Sequence, residues 1–203
     1  MKLYHSAASP FVRKVMVLLH EAGAMDRVTL IPAAVSPLKP DAMPIDHNPL
    51  GKIPALETDD GTAIYDSRVI TRYLDETLKA GLYPAAPRLW DTLTLEATAD
   101  GMTEAAVLIR YEFHIRPEGS RSHDWAEGQW HKIDRALTAV EDRRMGHLSG
   151  PLDMGQIALA CALGYLDFRH PERDWRKVRP ALAAWAVGFM DRPAMRATNP
   201  VAA

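Results

Sequence analysis

The spacing of apolar positions along the 203-residue chain changes once, and the change divides it. In the first part, short apolar runs alternate with one-sided helical stripes. Leu3 and Tyr4 give bulk to a short strand, and His5-Ser6-Ala7-Ala8 is small and polar enough to turn. Val12, Val15, Met16 and Leu19 then recur at i, i+3, i+4 and i+7, which predicts a helix with one apolar stripe. Ser9 can cap that helix, Pro10 suits its first position, and Gly23 can stop it. Val28 to Ile31 predicts a second strand, so the order strand, helix, strand indicates a βαβ unit. Pro32 to Pro49 carries five prolines and predicts irregular chain with at most a short helix. Ile53 to Thr58 and Thr62 to Tyr65 predict a hairpin around the turn Asp59-Asp60-Gly61. Asp66-Ser67 caps a second helix, whose apolar positions are Val69, Ile70, Tyr73 and Leu74.

From about Glu76 the pattern is different. Lys79 to Pro87 reads as a loop, and every patterned segment beyond it has helical spacing. A long helix is predicted from Arg88 to about Ile115, broken at Arg116-Pro117-Glu118-Gly119-Ser120. Trp130, Ile133, Leu137 and Val140 mark the next helix, which Gly146 and Ser149-Gly150-Pro151 end. Asp153 with Gln156 three residues on resembles a capping box. The helix it starts is apolar nearly all round through Leu166, which predicts a central place in a helical domain. Leu182, Trp185 and Phe189 form a last helix, stopped around Arg192-Pro193. The expected organisation is a small α/β domain over residues 1–78, a linker over 79–87 and an all-helical domain over 88–203.

Composition narrows the possible functions. A formal net charge of −2 without a basic run of five or more argues against a dedicated nucleic-acid partner. No apolar run reaches the roughly 18 residues of a membrane helix, and the start lacks a signal peptide's apolar core. The expectation is a cytoplasmic protein without a membrane partner. The single cysteine, Cys161, excludes an internal disulfide framework and reads as a buried thiol inside an apolar run. The eight histidines show no HExxH-like spacing, so no metal is expected, and no glycine-rich nucleotide loop is present. His47 reads as a solvated loop histidine, and Trp125, Trp130, Trp175 and Trp185 as packing residues.

Three stretches carry candidate chemistry. The Ser9 hydroxyl stands at the positive end of a helix directly after a strand, where it either caps the helix or meets an anion. In Asn48-Pro49-Leu50-Gly51-Lys52-Ile53-Pro54, a cis Ile53-Pro54 bond would expose the Ile53 backbone to an extended peptide; the residues alone leave the isomer open. Asp66-Ser67 either caps its helix or holds an amino-acid end group, with Asp66 on the ammonium and Ser67 on the carboxylate.

Together and in this order, Ser9-Pro10-Phe11-Val12-Arg13-Lys14-Val15, Asn48 to Leu56 and Asp66 to Leu74, followed by an all-helical half, resemble the glutathione S-transferase family, in a bacterial, serine-type form. The resemblance implies an α/β thioredoxin-like N-terminal domain that binds glutathione as co-substrate, and an all-α helical C-terminal domain that supplies most of the electrophile pocket. It also implies a homodimer. By that resemblance Pro54 is cis, Ile53 pairs through its backbone with the cysteinyl part of glutathione, and Asp66 and Ser67 hold the γ-glutamyl end. Lys39 or Lys52 reaches the glycyl carboxylate. Ser9 matches the serine that donates to the thiolate, with Ser6 a second hydroxyl nearby. Tyr4, Arg110, Tyr111 and His114 are the candidate electrophile pocket. The family usually has Glu where Asp66 stands, and Ser or Thr followed by Asp where Asp153 and Gln156 stand. The implied reaction is attack of the glutathione thiolate on an electrophilic small molecule. Glutathione-dependent isomerisation, dehalogenation, or a non-catalytic binding or protein-assembly role are the alternatives.

Overall fold

The structure is a computed structural model that describes residues 1–33, 36–38 and 44–200. The chain forms two compact units, the first running Met1–Pro84 and resuming at Pro193, the second Ala85–Arg192.

In the first unit, strands β1 (Lys2–His5), β2 (Thr29–Pro32), β3 (Ala55–Glu57) and β4 (Ala63–Ile64) form one sheet in the order β2-β1-β3-β4. Helix α1 (Pro10–Glu21) makes the crossover between the parallel pair β1 and β2, and β3 runs antiparallel to both of its neighbours. Helix α2 (Ser67–Leu78) follows β4. Leu3 pairs in register with Leu56, and both are fully buried. Burial of such a side chain stabilises by about 1.5–3 kcal/mol. The alternate positions Lys2 and Glu57 pair on the other face, where their side chains form a 2.9 Å salt bridge.

Helix α1 is buried more widely than its apolar stripe predicts. Val17 and Leu18 join the core, and the charged Arg13 and Lys14 are buried too, while Met16 is only half-buried. For Arg13 the cause lies at the other end of the sequence. A short helix α7 (Pro193–Ala197) packs against α1, and Arg13 Nη2 donates to Met195 O at 3.1 Å and to Asn199 Oδ1 at 3.2 Å. The stretch from Pro193 therefore belongs with the α/β unit, not with the helical domain over 88–203. Pro193, read as a stop, ends one helix and opens the next, since a first-turn proline gives up no needed donor.

The second unit is helical: α3 (Arg88–His114), α4 (His123–Leu148), α5 (Met154–Arg169) and α6 (Pro180–Met190), with short 3-10 turns in the α3–α4 and α5–α6 connections. Helix α5 is buried without a break from Met154 to Leu163 and packs along α3. Its start is the expected capping box: Asp153 Oδ1 accepts from Gln156 N at 3.1 Å, and Asp153 N donates to Gln156 Oε1 at 3.3 Å. Asp153 Oδ2 also accepts from Thr92 Oγ1 at 2.8 Å and meets His147 Nε2 at 2.7 Å. Here α3 and α5 touch backbone to backbone, since a Cβ on Gly155 would lie 2.8 Å from Thr92 O.

Trp130 and Trp175 are buried and Trp185 half-buried, as packing residues, but Trp125 is 40% exposed. Five residues before Trp130, it sits about 140° round the helix from the buried stripe. Cys161 is buried. Among the described residues, no helix is long and apolar enough to cross a membrane.

Candidate functional site

The register of the sheet gathers the three candidate stretches. Tyr4 near the end of β1 pairs with Ala55 at the start of β3, and Ile64 at the end of β4 pairs with Leu56. Because β3 runs opposite to both neighbours, the turn to Ser9, the Ile53-Pro54 segment and Asp66 all fall at one end of the sheet.

Ser9 is the N-cap of α1, half-buried, and its Oγ accepts from Val12 N at 3.3 Å. Ser6 Oγ accepts from Ala8 N at 3.4 Å and Ser6 O from Ser9 N at 3.0 Å, so the turn holds itself. A hydroxyl has one proton and two lone pairs. Capping uses a lone pair, which leaves the Ser9 proton to donate.

The Ile53-Pro54 bond is cis. The loop before it is built around Asn48, a buried residue that had no expected role of its own. Its Nδ2 donates to Lys52 O at 2.9 Å and its Oδ1 accepts from Leu50 N at 3.0 Å. Gly51, at φ 61°, makes the left-handed turn that this closure requires. Lys52 is exposed, and Ile53 and Pro54 are buried. Lys39 lies outside the described residues.

Asp66 is the N-cap of α2 and is exposed. Its Oδ1 accepts from Arg68 N at 3.0 Å and its Oδ2 meets Arg68 Nη2 at 3.3 Å. Ser67 is buried as the first residue of that helix, and its carbonyl accepts from Thr71 Oγ1 at 2.9 Å.

Tyr4 is tied into a polar chain on the outer face of the sheet. His47 Nε2 stands 2.9 Å from Tyr4 Oη and 2.9 Å from Glu57 Oε2. An ionised carboxylate only accepts, so Nε2 carries the proton and the Tyr4 oxygen is its second acceptor. The hydrogen bond from Lys2, then that from His47, hold the Glu57 carboxyl below its ordinary value. His47 is thus half-buried and partnered, not a solvated loop residue. Its signal was non-local: only the pairing of β1 with β3 brings Tyr4 and Glu57 to one face.

The remaining candidates lie at the end of α3 in the helical unit. Arg110 and Tyr111 are half-buried and His114 is exposed. Burial pushes the Tyr111 phenol up. Tyr165 on α5, which the sequence did not single out, belongs with them: burial pushes its phenol up to about 12, and Arg169, Tyr111 and Arg110 all act on it. Beside it, buried His170 meets Ala106 O through Nε2 at 3.0 Å, and burial pushes its pKa down. Among the described residues, no group of three or more His, Cys, Asp or Glu side chains is placed to hold a metal ion.

A family model described as the N-terminal domain of glutathione S-transferase matches residues 8–77, and one described as its C-terminal domain matches residues 124–186. With its small mixed sheet followed by a helical unit, the chain belongs to the glutathione S-transferase family. It is 33% identical over 204 residues to the uncharacterized GST-like protein YibF of Escherichia coli strain K12, covering 98% of each chain. A glutathione transferase family member from Pseudomonas fluorescens Pf-5 with bound glutathione is 47% identical, with a TM-score of 0.96 and 99% of each chain covered. A structure of a family member from the same strain holds S-(propanoic acid)-glutathione; it is 46% identical, with a TM-score of 0.92 and 100% of each chain covered.

Proposed function

We infer that the protein is a glutathione transferase: it binds glutathione at the end of the sheet, and Ser9 stabilises the thiolate that attacks an electrophilic small molecule. The observation that carries this reading is the state of the Ser9 hydroxyl, whose cap bond to Val12 N leaves its proton to donate. A free thiol titrates near about 8.5. A hydrogen bond to a charged acceptor is worth roughly 1.5–3 kcal/mol, and a helix N-terminus adds about 0.3–1. At about 1.36 kcal/mol per unit, that is about one to three pKa units, enough to make thiolate the main form near pH 7. Ser9 stays protonated and needs no general base.

In this reading the Ile53 backbone beside cis Pro54 pairs with the cysteinyl part of glutathione. Asp66 and Ser67 take the γ-glutamyl end, and Lys52 or Lys39 takes the glycyl carboxylate. Asp66 replaces the longer Glu usual in the family, so its ammonium contact is a methylene shorter or water-bridged. The bound glutathione of the Pseudomonas relative supports the ligand, and the thioether held by the second supports conjugation as the reaction. The working form is a cytoplasmic homodimer; exposed Val69 and Trp90 supply apolar surface of the kind a second copy covers.

The test is thiolate absorbance of bound glutathione against pH, with turnover of an electrophile panel, for wild type and Ser9→Ala. A higher thiol pKa and slower turnover in the variant are expected. Identical titration curves would remove the role of Ser9, and binding without turnover of any electrophile would reduce the protein to a glutathione-holding module.

A further inference from the structure

Among the described residues, Arg110 and Arg169 of the helical unit form no salt bridge with a carboxylate. Arg116, Arg144, Arg173, Arg176 and Arg179 are paired with Glu112, Asp91, Glu127, Asp167 and Asp134. Arg110 is half-buried near the end of α3, and among the described residues no hydrogen bond or ion pair engages it. Arg169, the last residue of α5, has a buried Nε without a hydrogen-bond partner, and its guanidinium carbon lies 4.0 Å from the centre of the Phe168 ring.

The packing brings these two cations around one phenol. Helices α3 and α5 lie along each other, and the 3.0 Å contact from His170 to Ala106 O fixes the end of α5 one turn before Arg110. Tyr165, one turn before Arg169, stands 6.5 Å ring to ring from His170 and senses the charges of both arginines and of Tyr111. Both phenols are pushed up by burial and keep their protons at neutral pH, while His170 is pushed down and stays neutral. The carboxylate seen beside this group, Glu172, is exposed and sits 3.9 Å from His170 Nδ1. The cluster therefore offers the Arg110 guanidinium, the unpartnered Nε–H of Arg169 and two phenol protons. Partly buried cations are costly unless an anion meets them, and a guanidinium fork matches a carboxylate.

We propose that Arg110, Arg169, Tyr111 and Tyr165 form a carboxylate-binding site, and that the electrophile of this protein is a small carboxylic acid. The electrophile half rests on the transferase reading above. With an α,β-unsaturated acid, the thiolate sulfur bonds to the β-carbon and the π pair moves to the α-carbon. That carbon takes a proton from water, and neither oxidant nor leaving group is needed. The arginines hold the carboxylate and the side chains remain unchanged.

Acrylate and its neutral isostere acrylamide separate charge recognition from reactivity. For each, kcat/KM is divided by the uncatalysed rate constant with glutathione. Wild type favours the acid, and Arg110→Ala lowers the acid-to-amide ratio by roughly tenfold or more, mainly through the KM for acrylate. Arg110→Lys recovers part of it. An unchanged ratio in Arg110→Ala overturns the proposal. Independently of turnover, propanoate shifts the arginine Nε–H signals of Arg110 and Arg169 in the wild-type NMR spectrum, whereas propanamide at equal ionic strength leaves them in place. Equal responses to both probes overturn the site. Turnover of both acceptors with silent arginine signals removes the site and leaves the transferase reading standing; shifted signals without turnover of either acceptor keep the site and remove its electrophile.

Discussion

Ser9 and Asp66 in the α/β unit and Asp153 in the helical unit do the same local work, capping a helix, in opposite surroundings. Asp153 is 1% exposed, and its two oxygens meet Gln156 N, Thr92 and His147. Asp66 is exposed, with only Arg68 on its oxygens among the described residues, and half-buried Ser9 holds one long side-chain bond. The difference separates two uses of one device. A cap sealed on every side is part of the frame, whereas a cap with spare hydrogen-bonding capacity at an open sheet end has something left for a ligand.

The comparison breaks first if the sealed cap is dispensable. Asp153→Ala leaves buried Thr92 only its longer 3.3 Å bond to Arg88 O and α5 without its box, and it should lower unfolding stability by about 3–4 kcal/mol in a urea titration. Gly155→Ala, pressing a Cβ on Thr92 O, should cost about 2 kcal/mol in the same assay. The open caps should respond the other way. Ser9→Ala should cost under about 1 kcal/mol of stability yet raise the pKa of bound glutathione by about one to two units, read from thiolate absorbance. Asp66→Ala should likewise cost about 1 kcal/mol of stability while weakening glutathione roughly tenfold by calorimetry. A stability loss in Asp66→Ala as large as that of Asp153→Ala would erase the distinction.

The smallest effect concerns pH. Burial holds the His170 pKa below the 6.5 of an unfolded histidine. As pH falls below about 6.5 the unfolded chain takes up a proton that the folded chain does not, so stability drops toward the lower folded pKa. Above that window the residue contributes no slope. Urea midpoints for His170→Gln should fall less steeply than wild type between pH 6.5 and 5.

All three caps were legible in the sequence, because capping is a matter of a few neighbouring residues. The long helices were legible too, to within a residue or so for α3, since many turns repeat one period. What escaped depended on distant partners. Asn48 and His47 are unremarkable until a loop closes and β1 pairs with β3. Arg13 and Lys14 lie off the apolar stripe, so the periodicity does not announce their burial, and for Arg13 the cover comes from α7. Helix α7, at five residues, is too short for any period to show. Tyr165 was submerged in a run apolar nearly all round, where a phenol adds no contrast. The cis state of Pro54 came with the family resemblance, not from the residues themselves.

The grip of Arg13 on Met195 and Asn199 has a consequence for synthesis. A ribosome delivers the strands and first helix of the α/β unit early, yet the acceptors of this buried guanidinium emerge some 180 residues later. While the helical segment is still being made, the early unit can hold its sheet but not its finished surface around α1. Its last stabilising contacts arrive only once residues 195–199 have left the exit tunnel, so the unit that begins first is completed last.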